Sequence, residues 1–413
     1  MTLTNYKQSG VLKEDFCLQK KQGYKIMEGN KLSATDIIYS MKFTTKILLY
    51  IIIVISFAFT NLTAQTSQNK PIRLAIAGMT HGHIKFFFHS ENKTDFTLIG
   101  VYEPNHEMAL RYAAKFGFDP KLIYDDLDKM LDATKPEAVV AFGSILEHTA
   151  VVEACAPRGI NVMVEKPLAT TVEHAERMER LAKKYNIHLL TDYETSWYPS
   201  TAKSFQLVND SDFVGSVRKV VVHDGHNGPK EIHVNKEFLD WLTDPVQNGA
   251  GALYDFGCYG ANLITCLSKG EEPVSVTAVT RQFKPDVYPK VDDDATVIID
   301  YPDFQCILMP SWNWPFNRKD MEIYGTTGYI INVDKSTMYL RKSNMKEEKT
   351  INVTSKDVNV EEDPFTYFAK VIHGNIKVPK YGLYSLENNV LVVKLLEAAK
   401  KSAKTGKTEK FVK

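Results

Sequence analysis

The sequence predicts an α/β protein: a doubly wound parallel-sheet domain followed by an α+β domain on a mainly antiparallel, open sheet. Two observations predict it. From Pro71 to about residue 198, short apolar runs alternate with stretches of helical periodicity, which is typical of βαβ units. From Ser216 onward, strand-like runs follow one another with few helices between them, which indicates an antiparallel sheet. We place the domains at 71–198 and 199–413.

Each element is predicted from its hydrophobic period, which is two in a half-buried strand and near 3.6 in a helix. In the first domain this predicts strands at 73–78, 97–103, 137–142, 161–165 and 187–190, and helices at 107–116, 148–157 and 171–185. In the second domain it predicts strands at 217–223, 274–281, 295–301, 304–309, 320–324 and 330–333, and helices at 250–268 and 386–403. We leave open that the last helix packs back on the first domain.

The overall charge is balanced, with 50 basic and 50 acidic residues in a chain of 413. No excess of positive charge favours nucleic acid or an anionic membrane as a partner. The five cysteines form no CxxC pair, so the sequence predicts neither a zinc nor a redox motif. We therefore expect free thiols and no metal site.

The N-terminal region has the pattern of an export signal. Residues 47–59 are almost entirely apolar, Lys42 and Lys46 precede them, and the small residue Ala64 follows. This order is typical of a secretory signal peptide, which we place at 41–64, with 1–40 as an extension upstream of the true start. The protein is then expected to be exported to the periplasm. The alternative is a membrane anchor formed by 47–59.

A glycine turn follows the first predicted strand. Gly78 ends the strand and begins a segment that continues through Thr80, His81, Gly82 and His83. A turn of this kind between strand and helix directs backbone N–H groups at a pyrophosphate. Of the G-x-G-x-x-G fingerprint only the first glycine is in place, so the turn alone is weak evidence for a dinucleotide site.

The second strand strengthens that interpretation because it ends in Glu103, twenty-five residues after Gly78. An acidic residue about 20 residues after the turn accepts hydrogen bonds from the adenosine ribose. Its charge also repels a 2′-phosphate. We therefore expect NAD rather than NADP, with a surface glutamate at a strand end as the alternative.

Four short segments carry a resemblance to a known family. They are Glu165–Pro167 (EKP), Trp241–Pro245 (WLTDP), Gly249–Tyr259 (GAGALYDFGCY) and Gly325–Gly328 (GTTG). Their order and spacing resemble those of the glucose–fructose oxidoreductase/inositol dehydrogenase (Gfo/Idh/MocA) family. The resemblance covers about 72–411, and Ala250 departs from it by replacing a glycine.

The resemblance implies a reacting centre formed by Lys166, Asp255 and Tyr259. Residues four apart lie on one face of a helix, so Asp255 and Tyr259 are expected side by side. We expect Tyr259 to exchange the substrate proton, with its pKa lowered by Lys166 and the cofactor charge. The alternative for Tyr259 is a core residue.

Further residues are implied around this centre. Ser144, His148, Glu165 and Lys166 join the glycine turn as cofactor contacts, although the segment at 143–145 departs from the family's usual T-P-N. His226 and Trp241 are candidate substrate contacts. His223, His226 and His233 also suggest a metal, but their loop spacing favours a sugar pocket. Trp312 and Trp314 are expected to pack the sheet.

The resemblance implies an oxidoreductase that acts on the CH–OH group of a sugar or polyol with a tightly held NAD. Export adds weight to a second possibility, a glycosidase-type enzyme that oxidises the sugar transiently. A third is a carbohydrate-binding relative without catalysis. We also expect a homo-oligomer that assembles through the C-terminal sheet.

The export signal leads to a first prediction. If 41–64 is removed, the exported protein begins near Gln65. N-terminal sequencing of protein recovered from the periplasmic fraction checks this, with the cytoplasmic fraction as the control. A mature N-terminus at Met1 contradicts the signal-peptide assignment.

Overall fold

The computed structural model describes residues 70–90 and 94–411, so the predicted segments at 1–40 and 41–64 lie outside the described residues. A six-stranded sheet has the order β3-β2-β1-β4-β5-β6, and every pair in it is parallel. Its strands are Ile72–Ala77 (β1), Phe96–Tyr102 (β2), Ile123–Tyr124 (β3), Ala138–Ala141 (β4), Asn161–Glu165 (β5) and Leu189–Asp192 (β6). This is the doubly wound order, in which ligands bind at the carboxyl ends of the strands beside β1 and β4.

Five helices accompany these strands: Ile84–His89 (α1), His106–Phe116 (α2), Leu127–Thr134 (α3), His148–Cys155 (α4) and Val172–Tyr185 (α5). Side-chain caps explain several of their starts, because Asn105, Asp126 and Thr171 each accept a backbone N–H of the first turn. Helix α2 ends at Gly117 in the left-handed conformation. Strand β4 is buried throughout, as expected for a parallel strand covered by helices on both faces.

A nine-stranded sheet follows in the order β14-β13-β12-β11-β7-β10-β9-β8-β15. Its strands are Val217–Gly225 (β7), Ser275–Arg281 (β8), Asp294–Asp300 (β9), Gln305–Ser311 (β10), Arg318–Gly325 (β11), Gly328–Asn332 (β12), Thr337–Lys342 (β13), Lys349–Asn352 (β14) and Glu409–Lys410 (β15). All pairs are antiparallel except β7 with β10. Burial alternates along β9, so one face of the sheet is covered.

Seven further helices belong to this half: Pro199–Asn209 (α6), Lys236–Leu242 (α7), Ala252–Asp255 (α8), Gly257–Leu267 (α9), Ser355–Val358 (α10), Pro364–Ile372 (α11) and Leu386–Thr405 (α12). Helix α12 joins two hydrophobic cores. Val392 and Leu395 pack in the core of the second sheet, whereas Val390 and Val393 pack in the core beneath the first sheet. The last helix therefore contacts both layers.

The predicted fold class is confirmed, and the differences concern single elements. The helix predicted at 250–268 is two helices, α8 and α9, which meet at Phe256, where φ is −107° and ψ is −32°. Helix α1 is only six residues long and begins at Ile84 rather than directly at the glycine turn. The sequence interpretation also missed α3, α6, α7, α10 and α11, and strands β3, β13, β14 and β15.

Two findings concern the described residues as a set. No described helix is both long enough and apolar enough to cross a bilayer. The described cysteines, Cys155, Cys258, Cys266 and Cys306, are all free thiols, and Cys17 lies outside the described residues.

Candidate active site and dinucleotide cleft

A cavity of about 1260 Å³ opens where the carboxyl end of β5 faces β7, β11 and helix α8. A site for one small ligand measures roughly 300–1,000 Å³, so this cavity has room for two ligands side by side. Six of the predicted site residues line it: Gly82, His83, Lys166, His226, Asp255 and Tyr259. Glu194 and Lys319, which were not predicted, line it as well.

Lys166 and Asp255 form a buried ion pair in this cavity. The Nζ atom of Lys166 lies 2.5 Å from Oδ1 of Asp255 and also donates to the backbone oxygen of Asp255 at 3.0 Å. Burial opposes ionisation of both groups. Their mutual attraction outweighs it, raising the pKa of Lys166 and lowering the pKa of Asp255. Both groups are therefore charged at neutral pH.

Trp312 completes the environment of this carboxylate. Its Nε1 atom donates to Oδ2 of Asp255 at 2.9 Å, and its side chain is fully buried. We expected Trp312 only to pack the sheet. Each oxygen of Asp255 therefore has a fixed partner, which orients the carboxylate and leaves Lys166 with one N–H for another ligand.

Tyr259 lines the cavity beside two lysines. Nζ of Lys166 lies 5.2 Å from its ring centroid and Nζ of Lys319 lies 4.6 Å from it. The expected lowering of its pKa is wrong for this arrangement, since the pKa of Tyr259 is raised well above its ordinary value. Burial is the main cause, and the charges of Glu194 and Asp255 add to it. Both lysines are paired with those carboxylates, so their positive charge does not stabilise a phenolate.

Glu194 and Lys319 form an ion pair that the sequence analysis missed. Glu194 follows β6 and Lys319 lies on β11, and the Lys319 ammonium contacts Oε2 of Glu194. The Tyr198 hydroxyl donates to Oε1 at 2.7 Å. Although burial opposes it, Lys319 and these hydrogen bonds lower the pKa of Glu194 to about 2. No local sequence motif marks a pair that joins positions 125 residues apart.

The glycine turn packs against a second glycine. Gly78 has φ +77°, and a Cβ atom there would lie 2.8 Å from the backbone of Gly143. Only glycine fits this close approach between the ends of β1 and β4. Glu103 closes the same turn, because Oε2 accepts the N–H of Met79 and Oε1 accepts the N–H of Asn105, both at 2.9 Å. Burial raises the pKa of Glu103, and these two bonds oppose the rise.

His81, His83 and Glu165 lie close enough together to suggest a metal site. The backbone N–H of His83 donates to Nδ1 of His81 at 3.1 Å, so the proton of the neutral His81 ring is on Nε2. Nδ1 of His83 lies 3.0 Å from Oε2 of Glu165, where a carboxylate accepts its proton. His83 thus joins His81 and Glu165 through hydrogen bonds, with its backbone N–H to the first and its ring to the second.

Three buried polar atoms near the turn have no partner among the described residues: Oγ1 of Thr80, Nε2 of His81 and Nε2 of His148. Buried polar atoms are normally hydrogen-bonded, so a polar ligand fits here. The turn, the glycine contact and these atoms together fit the phosphate and ribose groups of a dinucleotide. Ser144 lies next to Gly143, and its N–H and hydroxyl both donate to Glu147.

The remaining predicted residues are dispersed. Trp241 packs at 5.5 Å on the His81 ring and is not among the residues that line the cavity, which favours a packing role. His223 is bound by Asp320 at 2.7 Å and by Arg318 at 3.2 Å. Among the described residues, His223, His226 and His233 do not form a group whose possible ligand atoms lie within 4.8 Å of one another.

Comparison with known proteins places this geometry in a family. Residues 72–193 match the family model described as "Oxidoreductase family, NAD-binding Rossmann fold". Residues 206–331 match the model described as "GFO/IDH/MocA C-terminal domain". The two matches together cover more than half of the chain.

Two curated relatives and one solved structure are among the proteins that are similar to this chain. A trans-1,2-dihydrobenzene-1,2-diol dehydrogenase of Xenopus laevis is 28% identical over 186 residues, 44% of this chain and 51% of the relative. The chain thus spans about half of that relative's length. An NADP⁺-dependent scyllo-inositol 2-dehydrogenase of Bacillus subtilis is 25% identical over 63% of this chain and 75% of the relative. An inositol dehydrogenase homologue of Azotobacter vinelandii, complexed with NAD⁺, has the same fold, with a TM-score of 0.73 at 16% identity over 83% of this chain and 98% of its own.

The buried pair leads to a prediction about stability. Asp255→Asn leaves the Lys166 ammonium buried without its counter-charge, and we expect a loss of about 3–5 kcal/mol in the free energy of unfolding at neutral pH. Burial alone then lowers the folded-state pKa of Lys166 below that of the unfolded chain. Between these two pKa values the unfolded state binds more protons than the folded state. The loss of stability in the variant therefore becomes smaller as the pH rises through this range.

Urea unfolding of wild type and variant at several pH values from neutral to alkaline measures both effects. Asp132→Asn is the matched control, because it removes an exposed partner of Arg158 at the surface, where ion pairs contribute little to stability. A deficit for Asp255→Asn that is equal to the control, or that grows with pH, contradicts the assignment.

Proposed function

The chain belongs to the Gfo/Idh/MocA family of oxidoreductases, and from that premise we propose that it oxidises or reduces a carbinol carbon of a sugar or polyol with a bound nicotinamide dinucleotide. One observation carries the proposal. The buried Lys166–Asp255 pair lies in a cavity with room for two ligands, next to a glycine turn that fits a dinucleotide.

The chemical roles follow from the contacts. A bound nicotinamide supplies the acceptor or donor of hydride. Lys166 has one N–H left for the substrate oxygen, and its charge favours the developing alkoxide. Asp255 is held by Lys166 and Trp312, so it keeps that lysine charged and in place. Tyr259 lies beside them and exchanges the hydroxyl proton.

The raised pKa of Tyr259 decides how the proton moves. The phenol is protonated at neutral pH, so it is ready to donate to a substrate oxygen during reduction of a carbonyl. In the oxidation direction the phenol must first lose its proton. The rate of oxidation is then expected to rise with pH, whereas that of reduction is not.

We propose NAD as the cofactor because the Glu103 carboxylate lies at the turn, where it repels a 2′-phosphate. The turn residues Gly78, Thr80, His81, Gly82 and His83 would hold it together with Ser144, His148, Glu165 and Lys166. We further propose that the protein is exported, that it keeps its cofactor tightly bound, and that it assembles as a homo-oligomer through the C-terminal sheet. A near-ultraviolet absorption band in the purified protein would support bound reduced cofactor.

A prediction tests the proton step. Tyr259→Phe removes the phenol and should lower the single-turnover rate by about 10²–10⁴, the usual size of a lost acid–base group. Lys166→Ala should cost at least as much. Tyr193→Phe is the matched control, because its hydroxyl is buried and has no partner among the described residues, while its ring lies 5.6 Å from that of Tyr259.

The readout is reduction of bound NAD⁺ in single turnover with a panel of sugars and polyols. Dinucleotide affinity should stay near that of wild type in Tyr259→Phe and Tyr193→Phe, which leave the residues proposed to hold the cofactor intact. A near-normal rate in Tyr259→Phe would falsify the assignment.

Another prediction tests cofactor choice. Glu103→Ser removes the carboxylate and should narrow the preference for NAD over NADP in calorimetric titration. Glu103→Gln is the control that keeps the size and loses only the charge, so it should narrow the preference as well. Tighter binding of NADP than of NAD by wild type would mean that Glu103 does not select the cofactor.

A further inference from the structure

We propose that His226 is a catalytic hydrogen-bond donor, which directs the N–H of its Nε2 atom at the substrate oxygen that gains charge during hydride transfer. The inference rests on the proposed dehydrogenase function and assigns a further residue to its site. It follows from which ring nitrogen the fold leaves open.

The tautomer of His226 is set by the backbone. The N–H of Gly228 donates to Nδ1 of His226 at 2.9 Å, so Nδ1 holds a lone pair and the proton of the neutral ring is on Nε2. Nε2 has no partner among the described residues, and the side chain lines the cavity with Lys166 and Asp255. The open position of the ring is therefore a donor.

The ring is also fixed in place. His226 follows β7, and two backbone hydrogen bonds hold it. Its backbone N–H donates to the backbone oxygen of Ser311 at 3.1 Å, and its backbone oxygen accepts the backbone N–H of Trp314 at 3.1 Å. The ring of Phe256 meets it edge-on at 4.9 Å. Gly228 has φ +116°, and a Cβ there would lie 2.5 Å from the Tyr288 hydroxyl, so the loop that orients the ring requires glycine.

The charge state agrees with this role. Burial lowers the pKa of His226 to about 4, and the charge of Asp255 only partly opposes it, so the ring is neutral at physiological pH. With its proton already on Nε2, the neutral ring has no lone pair facing the substrate and does not act as the base. A fixed neutral donor of this kind stabilises a developing oxyanion without exchanging a proton.

The reaction balances without a change at His226. In oxidation, the carbinol C–H bond breaks and a bound nicotinamide would accept its hydride, while the O–H proton passes to the deprotonated Tyr259 phenolate. Between these two events the substrate oxygen carries its largest negative charge. The hydrogen bond that it accepts from the His226 N–H is therefore strongest at that point. Loss of one such donor costs about 10²–10³ in turnover.

Two substitutions distinguish the role of Nδ1 from that of Nε2. His226→Gln places an amide N–H near the position of Nε2 and abandons the Gly228 contact. His226→Asn keeps an oxygen acceptor near the position of Nδ1 for Gly228 and removes the donor. We expect His226→Gln to keep most of the single-turnover rate, and His226→Asn and His226→Ala to lose about 10²–10³, with dinucleotide affinity unchanged in all three.

If instead the single-turnover rate of His226→Asn is near that of wild type and that of His226→Gln is reduced, His226 only holds its loop. That result overturns the proposal. Nitrogen-15 NMR of the imidazole in the intact protein tests the tautomer without any substrate. An Nε2–H ring supports the inference, and an Nδ1–H ring overturns it even if dehydrogenase activity is present. If wild type oxidises no sugar or polyol, the proposed function fails, and the NMR result still decides whether His226 presents a donor.

Discussion

The ion pair between Lys166 and Asp255 links the two sheets of the protein at one point. Lys166 follows the last residue of β5, and Asp255 ends a helix of the second half, 89 residues later. Both side chains are about 95% buried. A buried charge without its partner costs several kcal/mol, so the cleft retains its stability only when the two halves bring these groups together. The position of the cavity between the sheets depends on this constraint.

The same principle of pairing governs the other charges in the cavity. Lys319 is bound to Glu194, and Arg318 is bound to Asp320. Because these cations are each compensated, the part of the cavity around Asp255 and Tyr259 does not provide a strong positive potential for an anionic substrate. Lys85 and Lys115 also line the cavity, and among the described residues they contact aromatic rings rather than carboxylates. The free capacity around Asp255 and Tyr259 consists of hydrogen-bonding groups, namely one N–H of Lys166, the Tyr259 hydroxyl and Nε2 of His226. Such a set matches a neutral polyhydroxylated ligand, and it explains why the pKa of Tyr259 is raised despite two neighbouring lysines.

The sequence predicted what depends on local pattern. Continuous apolar runs such as Ala138–Ala141 identified the parallel strands, and the family resemblance implied Lys166 and Asp255 as site residues. Helix α11 was missed, although Asp363 followed by Pro364 is a common helix start. Trp312 was assigned only a packing role and Glu194 none, because their partners lie 57 and 125 residues away and only the fold brings them together. The prediction of a lowered pKa for Tyr259 was wrong for the same reason, because that pKa depends on carboxylates whose positions no sequence motif indicates.

The glycine turn differs from the usual fingerprint in where its close contact lies. The second glycine of the fingerprint lets the backbone approach the pyrophosphate, whereas the close approach seen here joins Gly78 to Gly143, at the end of the adjacent strand. The positions of the missing glycines are occupied by Thr80 and His83. The turn leaves the hydroxyl of Thr80 and Nε2 of His81 buried without partners among the described residues, and Glu103 fixes its backbone. Unpaired buried donors would be costly in a fold that bound nothing at this place. Their retention together with the Lys166–Asp255 pair therefore argues for a working dinucleotide site rather than for a relative that has lost it.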